Sequence, residues 1–265
     1  MIGEFLRAAL FGVDQEDHHS GVAVDRPLYA IGDVHGCSDL LEGLVESILQ
    51  DHIARNDDDV KPELLFLGDL IDKGPDSAAT VEFVAALQEW PEIDLVTIRG
   101  NHEQMLLEFL ANPAGNVRWV QFGGYDTVLS YGVRMRDMRD PGALAVLAAE
   151  LREAMGSHID LLSRMPVSHI NGNVLCVHAG ADPEVAPEMQ SPHDLLWGVP
   201  SFYRERRQDG MWVVHGHTIV DAPAIADGRI SVDTGAYCNG LLTAARLDGS
   251  SVGFLVQSSR GCEII

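Results

Sequence analysis

The sequence predicts an α/β protein built on two β-sheets, and three observations carry that prediction. Short apolar runs alternate with helix-period segments through the first hundred residues, the signature of βαβ units and a parallel sheet. Six such runs along the chain stop at glycine beside Asp, Asn or His, as strands do when they run into loops. The last two runs, 241–247 and 252–257, have no helix between them and predict a second, more antiparallel sheet.

The elements follow in order. "MIGEFLRAALFG" (1–12) is a short amphipathic stretch suited to a docking helix, and "DHHS" (17–20) reads as a polar surface loop. "PLYAIGD" (27–33) is the first strand, and helical periodicity follows over 38–53. After a solvated acidic loop at 56–60, "ELLFLGD" (63–69) is the second strand, with a helix predicted over 76–89. "DLVTIRGN" (94–101) is the third strand. It leads into a helix at 102–111 and helical periodicity over roughly 141–164. The stretch at about 103–164 therefore reads as a mostly helical insertion within one domain spanning 1–265. "NVLCVHAG" (173–180), "MWVVHGH" (211–217) and "ISVDTGA" (230–236) are further strands.

Bulk properties narrow the function. With 265 residues, 46% of them hydrophobic, the chain can bury a large core. A net charge of −22 gives an acidic exterior with no basic footprint, which argues against nucleic acid as a partner. Cys37, Cys176, Cys238 and Cys262 lack paired spacing, so neither a disulfide framework nor a thiolate zinc clip is expected. No run is long enough to span a membrane and no leader pattern opens the chain, so the cytoplasm is the expected compartment.

The chemistry gathers at the strand ends. In "LFLGDLIDKGPDS" (65–77) an apolar strand stops at Gly68 and delivers Asp69, Asp72 and Lys73 within five positions. "IGDVHG" places Asp33 and His35 two apart, so both can reach one ion from extended backbone, and the flanking glycines allow a tight turn. Asn101 and His102 follow in "RGNHE", His178 in "VHAG" and His217 in "HGHT". Each alone has an ordinary explanation, a capped loop or a hydrogen-bonded histidine. Five in order at the same kind of position point to a metal centre. Carboxylate, amide oxygen and imidazole together suit Mn²⁺, Fe or Zn²⁺.

The set "GDVHG", "GDLIDKGP", "RGNHE", "VHAG" and "HGHT" resembles the calcineurin-like metallophosphoesterase superfamily, and its serine/threonine protein phosphatase branch in particular. The resemblance runs from about Leu28 to Leu247 and includes "FGGYDTVLSYG", "DLLW" and "VDTGAY". It implies a four-layer αββα sandwich, two β-sheets flanked by helices, with the metal site at the strand C-terminal ends. It implies two divalent ions, Mn first and Fe or Zn as alternatives. Asp33, His35 and Asp69 would hold one ion; Asp69, Asn101, His178 and His217 would hold the other, with Asp69 as the bridge. A metal-bridging hydroxide would attack phosphorus directly. By the same resemblance His102 is the general acid and Asp72 its partner, while Arg99 and Lys73 neutralise the phosphoryl oxygens.

Two positions depart from the branch. Lys73 stands where arginine is usual, keeping the charge but losing the planar fork. Val199 stands where bacterial relatives tend to carry arginine, which turns attention to Arg204, Arg206 or Arg207; a solvated basic helix face is the ordinary role for at least two of these. Ile219, in "GHTI", replaces a histidine common elsewhere in the superfamily. Of the remaining polar residues, His215 reads as a structural histidine behind the site, Asp233 as an orienting or loop-shaping group, and Tyr237 as a border residue or packing. The expected activity is hydrolysis of phosphomonoesters, on phosphorylated proteins or small phosphoesters. Symmetrical dinucleoside tetraphosphate hydrolysis is the alternative within enzymes, and a non-catalytic phospho-binding module the alternative outside them.

Overall fold

The computed structural model describes residues 21–55, 60–249 and 251–265. The expected docking helix at 1–12, the 17–20 loop and residues 56–59 of the acidic loop lie outside the described residues.

Strands β1 (Leu28–Ile31), β2 (Glu63–Phe66) and β3 (Asp94–Thr97) pair in parallel, with Ala30 opposite Leu65 and Leu65 opposite Val96. A second sheet contains β4 (Ser168–Asn171), β5 (Val174–Val177), β6 (Trp212–His215), β7 (Ala224–Ala226) and β8 (Arg229–Ser231), in the order β4-β5-β6-β8-β7. In it β5, β6 and β8 are parallel, and β4 and β7 are antiparallel edges.

The C-terminal strands correct one expectation. β9 (Leu242–Asp248), β10 (Ser251–Ser258) and β11 (Gly261–Ile264) do not build the second sheet; they extend the first, in the order β11-β10-β9-β1-β2-β3. β9 lies antiparallel to β1, with Ala30 opposite Ala245. The reason is burial on both faces. Ala245 and Leu247 face the other sheet while Leu242 and Ala244 face the helices, an environment that only an interior strand has.

Eight α-helices, a π-helical turn (Val120–Gly124) and a 3-10 turn (Pro187–Met189) complete the described elements; the α-helices are α1 (Ser38–Arg55), α2 (Ser77–Leu87), α3 (Asn101–Ala111), α4 (Tyr125–Ser130), α5 (Pro141–Met155), α6 (His158–Arg164), α7 (Pro192–Trp197) and α8 (Ala236–Asn239). The helix expected over 141–164 divides at Gly156, whose φ of 52° leaves the helical region. Asp140 caps α5 by accepting from the Gly142 N–H at 2.9 Å, with Pro141 in the first turn.

Alternation along the strands sets the layers. Tyr29, Ile31, Leu64 and Phe66 point to the helices and pack with Leu41, Leu44, Ile48, Val84, Phe109 and Leu151. Their neighbours Leu28, Ala30, Leu65 and Leu67 point the other way, onto Val174, Cys176, Val214 and Ile230 of the second sheet. Leu175, Val177 and Val213 form the outer face and meet Leu195 and Phe202. Strands buried on both faces must be apolar throughout, and this is why β1, β2 and β5 lack polar alternation. The order is helix, sheet, sheet, then a thin layer of α7 and the turn after it, matching the expected αββα sandwich. Glu63 locks the sheets at the opposite end from the site, accepting from Asn171 Nδ2 at 3.2 Å and meeting His169 Nε2 at 2.8 Å. The cysteines are all free. Among the described residues, no helix is long and apolar enough to cross a membrane.

Candidate metal centre

β1, β2 and β3 of one sheet and β5 and β6 of the other end on the same side of the sandwich. The residues that follow them converge there. The strands stop two to four residues short of the expected limits, because the backbone turns sharply just beyond them. Among the described residues, six that are not glycine have positive φ, and five stand here: His35 (45°), Asp69 (52°), Asp72 (73°), Lys73 (66°) and His217 (61°). Such conformations cost about 1–3 kcal/mol each and persist only where surrounding contacts impose them.

The contacts that impose them can be named. The Asp69 carbonyl accepts from the N–H groups of Val34 (3.1 Å) and His35 (2.8 Å). The Asp72 N–H donates to Ser77 Oγ and Thr127 Oγ1, both at 3.0 Å. Above all, the fully buried Glu103 carboxylate accepts from four backbone N–H groups: Asp69 (2.8 Å), Leu70 (2.8 Å), Ile71 (3.4 Å) and Gly100 (2.9 Å). It is the third residue of α3, where a carboxylate also suits the helix dipole. Close approach then dictates glycine: a Cβ on Gly100 would collide with Asp69, and one on Gly216 with Asp33.

Asp69 Oδ2 is the centre of the cluster. His178 Nε2 lies 3.4 Å from it, His35 Nε2 3.5 Å and His102 Nε2 3.8 Å. Asp33 Oδ2 is 3.9 Å from His35 Nε2. On the other side Asn101 Oδ1 lies 2.8 Å from His178 Nε2 and 3.0 Å from His217 Nδ1. The second oxygens of the aspartates are occupied: Asp69 Oδ1 accepts from the His102 N–H (3.0 Å) and Asp33 Oδ1 from the His217 N–H (3.1 Å). Carbonyl acceptors also fix the imidazoles. His35 Nδ1 faces Ile71 O (2.8 Å) and His178 Nδ1 faces Leu67 O (2.9 Å), so both hold their proton there and turn an Nε2 lone pair inward.

This donor set fits two cations with one shared donor. His35, Asp69 and His102 form one group with ligand atoms within 4.8 Å of one another, and Asp69, His178 and His217 form a second. Burial, followed by the facing Asp233 and Asp69 carboxylates, pushes Asp33 up; burial, followed by Glu103, pushes Asp69 up. Burial pushes His35 and His178 down, which keeps them neutral, the form that binds metal. Buried acids that repel one another, facing neutral imidazole lone pairs, are the environment a divalent cation relieves. The Lys73 ammonium already donates to His35 Nε2 at 2.9 Å, so a positive charge sits against a ligand atom.

His102 and Asp72 meet as expected, with Nδ1 to Oδ2 at 2.7 Å. Burial pushes Asp72 up to about 7 and His102 down to about 3, so both shifts oppose a charged pair. The hydrogen bonds decide how the proton sits. Asp72 also accepts from Trp119 Nε1 (2.8 Å) and Thr127 Oγ1 (2.5 Å), an arrangement that serves an ionised carboxylate. Neutral His102 then donates Nδ1–H to Asp72 and presents Nε2 to the cluster.

The residues around the cluster divide, and the arginines differ from expectation. Arg99 is turned toward the helical segment, donating to Gln104 Oε1 (3.0 Å) and Ser163 O (2.6 Å). Arg204 is exposed, and among the described residues no side-chain bond joins it to the cluster. Its segment is a turn, not a helix, and Arg207 is the buried member, bonded to Asp182 O, Val185 O and Asp209. Val199 packs on the Phe202 cluster, so a cation there would lie in an apolar setting. His215 is a structural histidine, held between Ser231 Oγ and Gly216 O. Asp233 lies against Asp33, not a histidine. Tyr237 does border the site, its ring 5.2 Å from that of His35. Sequence reasoning gave no role to Glu103, Trp119 or Thr127. Glu103 carries a signal, an acid three residues after the glycine that starts a helix, the spacing of a capping box.

Known proteins resemble this chain along most of its length. A family model described as calcineurin-like phosphoesterase matches residues 26–237. A Bacillus velezensis protein named bis(5'-nucleosyl)-tetraphosphatase PrpE [asymmetrical] is 28% identical over 237 residues, covering 82% of this chain and 87% of its own. A Geobacillus protein of the same name is 29% identical over 233 residues, covering 82% of this chain and 88% of its own. Among solved structures, one provisionally named as a diadenosine tetraphosphatase aligns with a TM-score of 0.59 at 19% identity, over 91% of this chain and 100% of that one. A protein-tyrosine phosphatase of a psychrophilic Shewanella aligns with a TM-score of 0.56 at 15% identity, over 90% and 80% of the two chains. These structural likenesses bear on the fold.

Proposed function

The chain belongs to the calcineurin-like phosphoesterase family, and from that premise we propose that it is a two-metal hydrolase of dinucleoside tetraphosphates. The reading gives precedence to what the sequence alone ranked second. The observation that carries it is the name shared by relatives aligned over 82% of this chain, a bis(5'-nucleosyl)-tetraphosphatase. That name adds the term asymmetrical, so we assign cleavage to a nucleoside triphosphate and a nucleoside monophosphate, where the motifs had suggested the symmetrical mode.

Asp33, His35 and Asp69 would hold one ion, and Asp69, Asn101, His178 and His217 the other. When bound, the ions supply Lewis acidity toward the phosphoryl oxygens and activate water for in-line attack. The protein's own part is to position and to move protons. Glu103 fixes the backbone that aims Asp69 and Asn101. His102 Nε2, whose lone pair first takes up a proton from solvent water, passes that proton to the departing oxygen, and Asp72 holds the ring through Nδ1 and stabilises the imidazolium formed in between. Lys73 steadies the phosphate chain. Arg99 can join it only by releasing Gln104 and Ser163 O. Arg204 is left as a rim charge.

The test is product analysis. Metal-free protein given Mn²⁺ should convert diadenosine tetraphosphate to ATP and AMP. Two molecules of ADP would overturn the cleavage mode. Rapid hydrolysis of a phosphoserine peptide without tetraphosphate turnover would restore the phosphoprotein reading, and no metal-dependent turnover on either would end the enzymatic one.

A further inference from the structure

We propose that Tyr237 is a stacking platform for one nucleobase of the substrate, an inference that rests on the reading above and names how the same site selects nucleotides. Tyr237 is 40% exposed beside a buried cluster of candidate ligands, so its ring is open to a flat partner at the site. One edge of its environment is the metal-centre histidine: the His35 and Tyr237 rings meet in a T at 5.2 Å. The Lys73 ammonium lies 4.9 Å from the ring centroid, over one face. A phosphate chain steadied by Lys73 therefore passes directly beside this ring, with a nucleobase one sugar away.

The platform is rigidly mounted. Tyr237 sits in α8, a four-residue helix bounded by Gly235 and Gly240, both in left-handed backbone conformation. The Gly235 N–H donates to Asp233 Oδ1 (2.9 Å), and Asn239 Nδ2 donates back to Thr234 O (3.0 Å). A fixed ring loses little freedom when a flat partner stacks on it. Another exposed ring neighbours in sequence the residue that holds the Lys73 backbone. Phe122 is 57% exposed and precedes Gly123, whose carbonyl accepts the Lys73 N–H at 3.3 Å. Lys73 thus meets Tyr237 through its side chain and Gly123, the residue after Phe122, through its main chain.

Charge supplies a further argument. A chain with net charge −22 attracts a polyanion poorly outside its metal centre, and Lys73 is the cation bonded within the cluster. Stacking gives a grip that does not depend on charge and suits any base.

The experiment compares AMP with ribose 5-phosphate, which differ by the base, binding to the Mn²⁺-loaded protein in titration calorimetry. The wild type should bind AMP about 5- to 150-fold more tightly, the equivalent of about 1–3 kcal/mol of stacking. Tyr237→Ala should bring that ratio to within twofold of unity, and Tyr237→Phe, which keeps the ring, should preserve it. A wild-type ratio near one, or a ratio unchanged in Tyr237→Ala, overturns the proposal. So does a Tyr237→Ala defect seen with an aromatic phosphopeptide and not with AMP. Because these are binding ratios, the inference can fail while diadenosine tetraphosphate is still cleaved, and can hold if that cleavage is absent.

Discussion

Glu103→Gln is the substitution that asks most of this structure. It keeps the volume and replaces one carboxylate oxygen by an NH₂ group. In the native protein Oε2 accepts from Asp69 and Gly100, and Oε1 from Leu70 and Ile71, all in full burial. Whichever way the amide turns, two backbone donors face a donor. A buried donor without a partner costs about 1–3 kcal/mol, so the variant should lose about 2–6 kcal/mol. That is a large share of the roughly 5–15 kcal/mol that holds a domain together. One effect opposes it. The Glu103 charge helps push Asp69 up, and a neutral amide relieves that repulsion. The relief cannot cancel the loss, because the N–H groups remain buried. Urea unfolding of both proteins without metal measures the difference free of metal linkage. A second titration measures Mn²⁺ affinity, which should fall as Asp69 and Asn101 lose their aim. Loss of less than about 1 kcal/mol, with Mn²⁺ binding intact, would refute the view that this carboxylate holds the site's backbone.

Three other predictions follow from named contacts. His102→Asn should lower kcat by about 10²- to 10⁴-fold on alkyl phosphates and much less on an activated aryl phosphate, whose leaving group needs no proton; equal losses on both would remove His102 from proton delivery. Asp51 accepts from Tyr29 Oη (2.9 Å), Arg55 Nε (2.8 Å) and Arg246 (3.3 Å); burial alone would raise its carboxyl, but these partners outweigh burial and hold it below its usual value. Its stabilisation is therefore complete above the unfolded pKa of about 4 and fades as pH falls through the folded value, so Asp51→Asn should be less stable than wild type at pH 7 and the gap should narrow as pH falls below about 4, while a gap constant with pH in urea melts would contradict this. Raising salt from low ionic strength should increase kcat/KM for tetraphosphates by screening the charge of −22, and a decrease would show that local cations govern capture.

The candidate metal ligands were legible because each sits where an apolar strand meets glycine, and the collisions at Gly100 and Gly216 explain that pairing. The layers were legible too, since strands buried on both faces leave unbroken apolar runs. What escaped depends on partners far along the chain. β4, "SHIN", is an edge strand whose polar residues reach Glu63 of the other sheet, so it shows no apolar alternation. The placement of β9 beside β1 is decided by which free edge is buried on both faces, not by any local pattern. Arg99 looked like a phosphate ligand by its neighbours, but its direction is set by the Ser163 carbonyl, 64 residues away. Trp119 and Thr127 carry no motif spacing relative to Asp72, though they complete its hydrogen bonds.

The split origin of the ligands reaches beyond catalysis. Asp33, Asp69 and Asn101 hang from the sheet that holds both β1 and the C-terminal strands, while His178 and His217 hang from its neighbour. Any ion held between them rivets the two halves of the sandwich at the mouth, opposite the Glu63 bonds that tie them at the base. On the proposed two-metal reading, metal supply would govern mechanical integrity along with turnover: occupancy would add a binding free energy that unfolding must forfeit, and a starved protein would loosen first at that mouth.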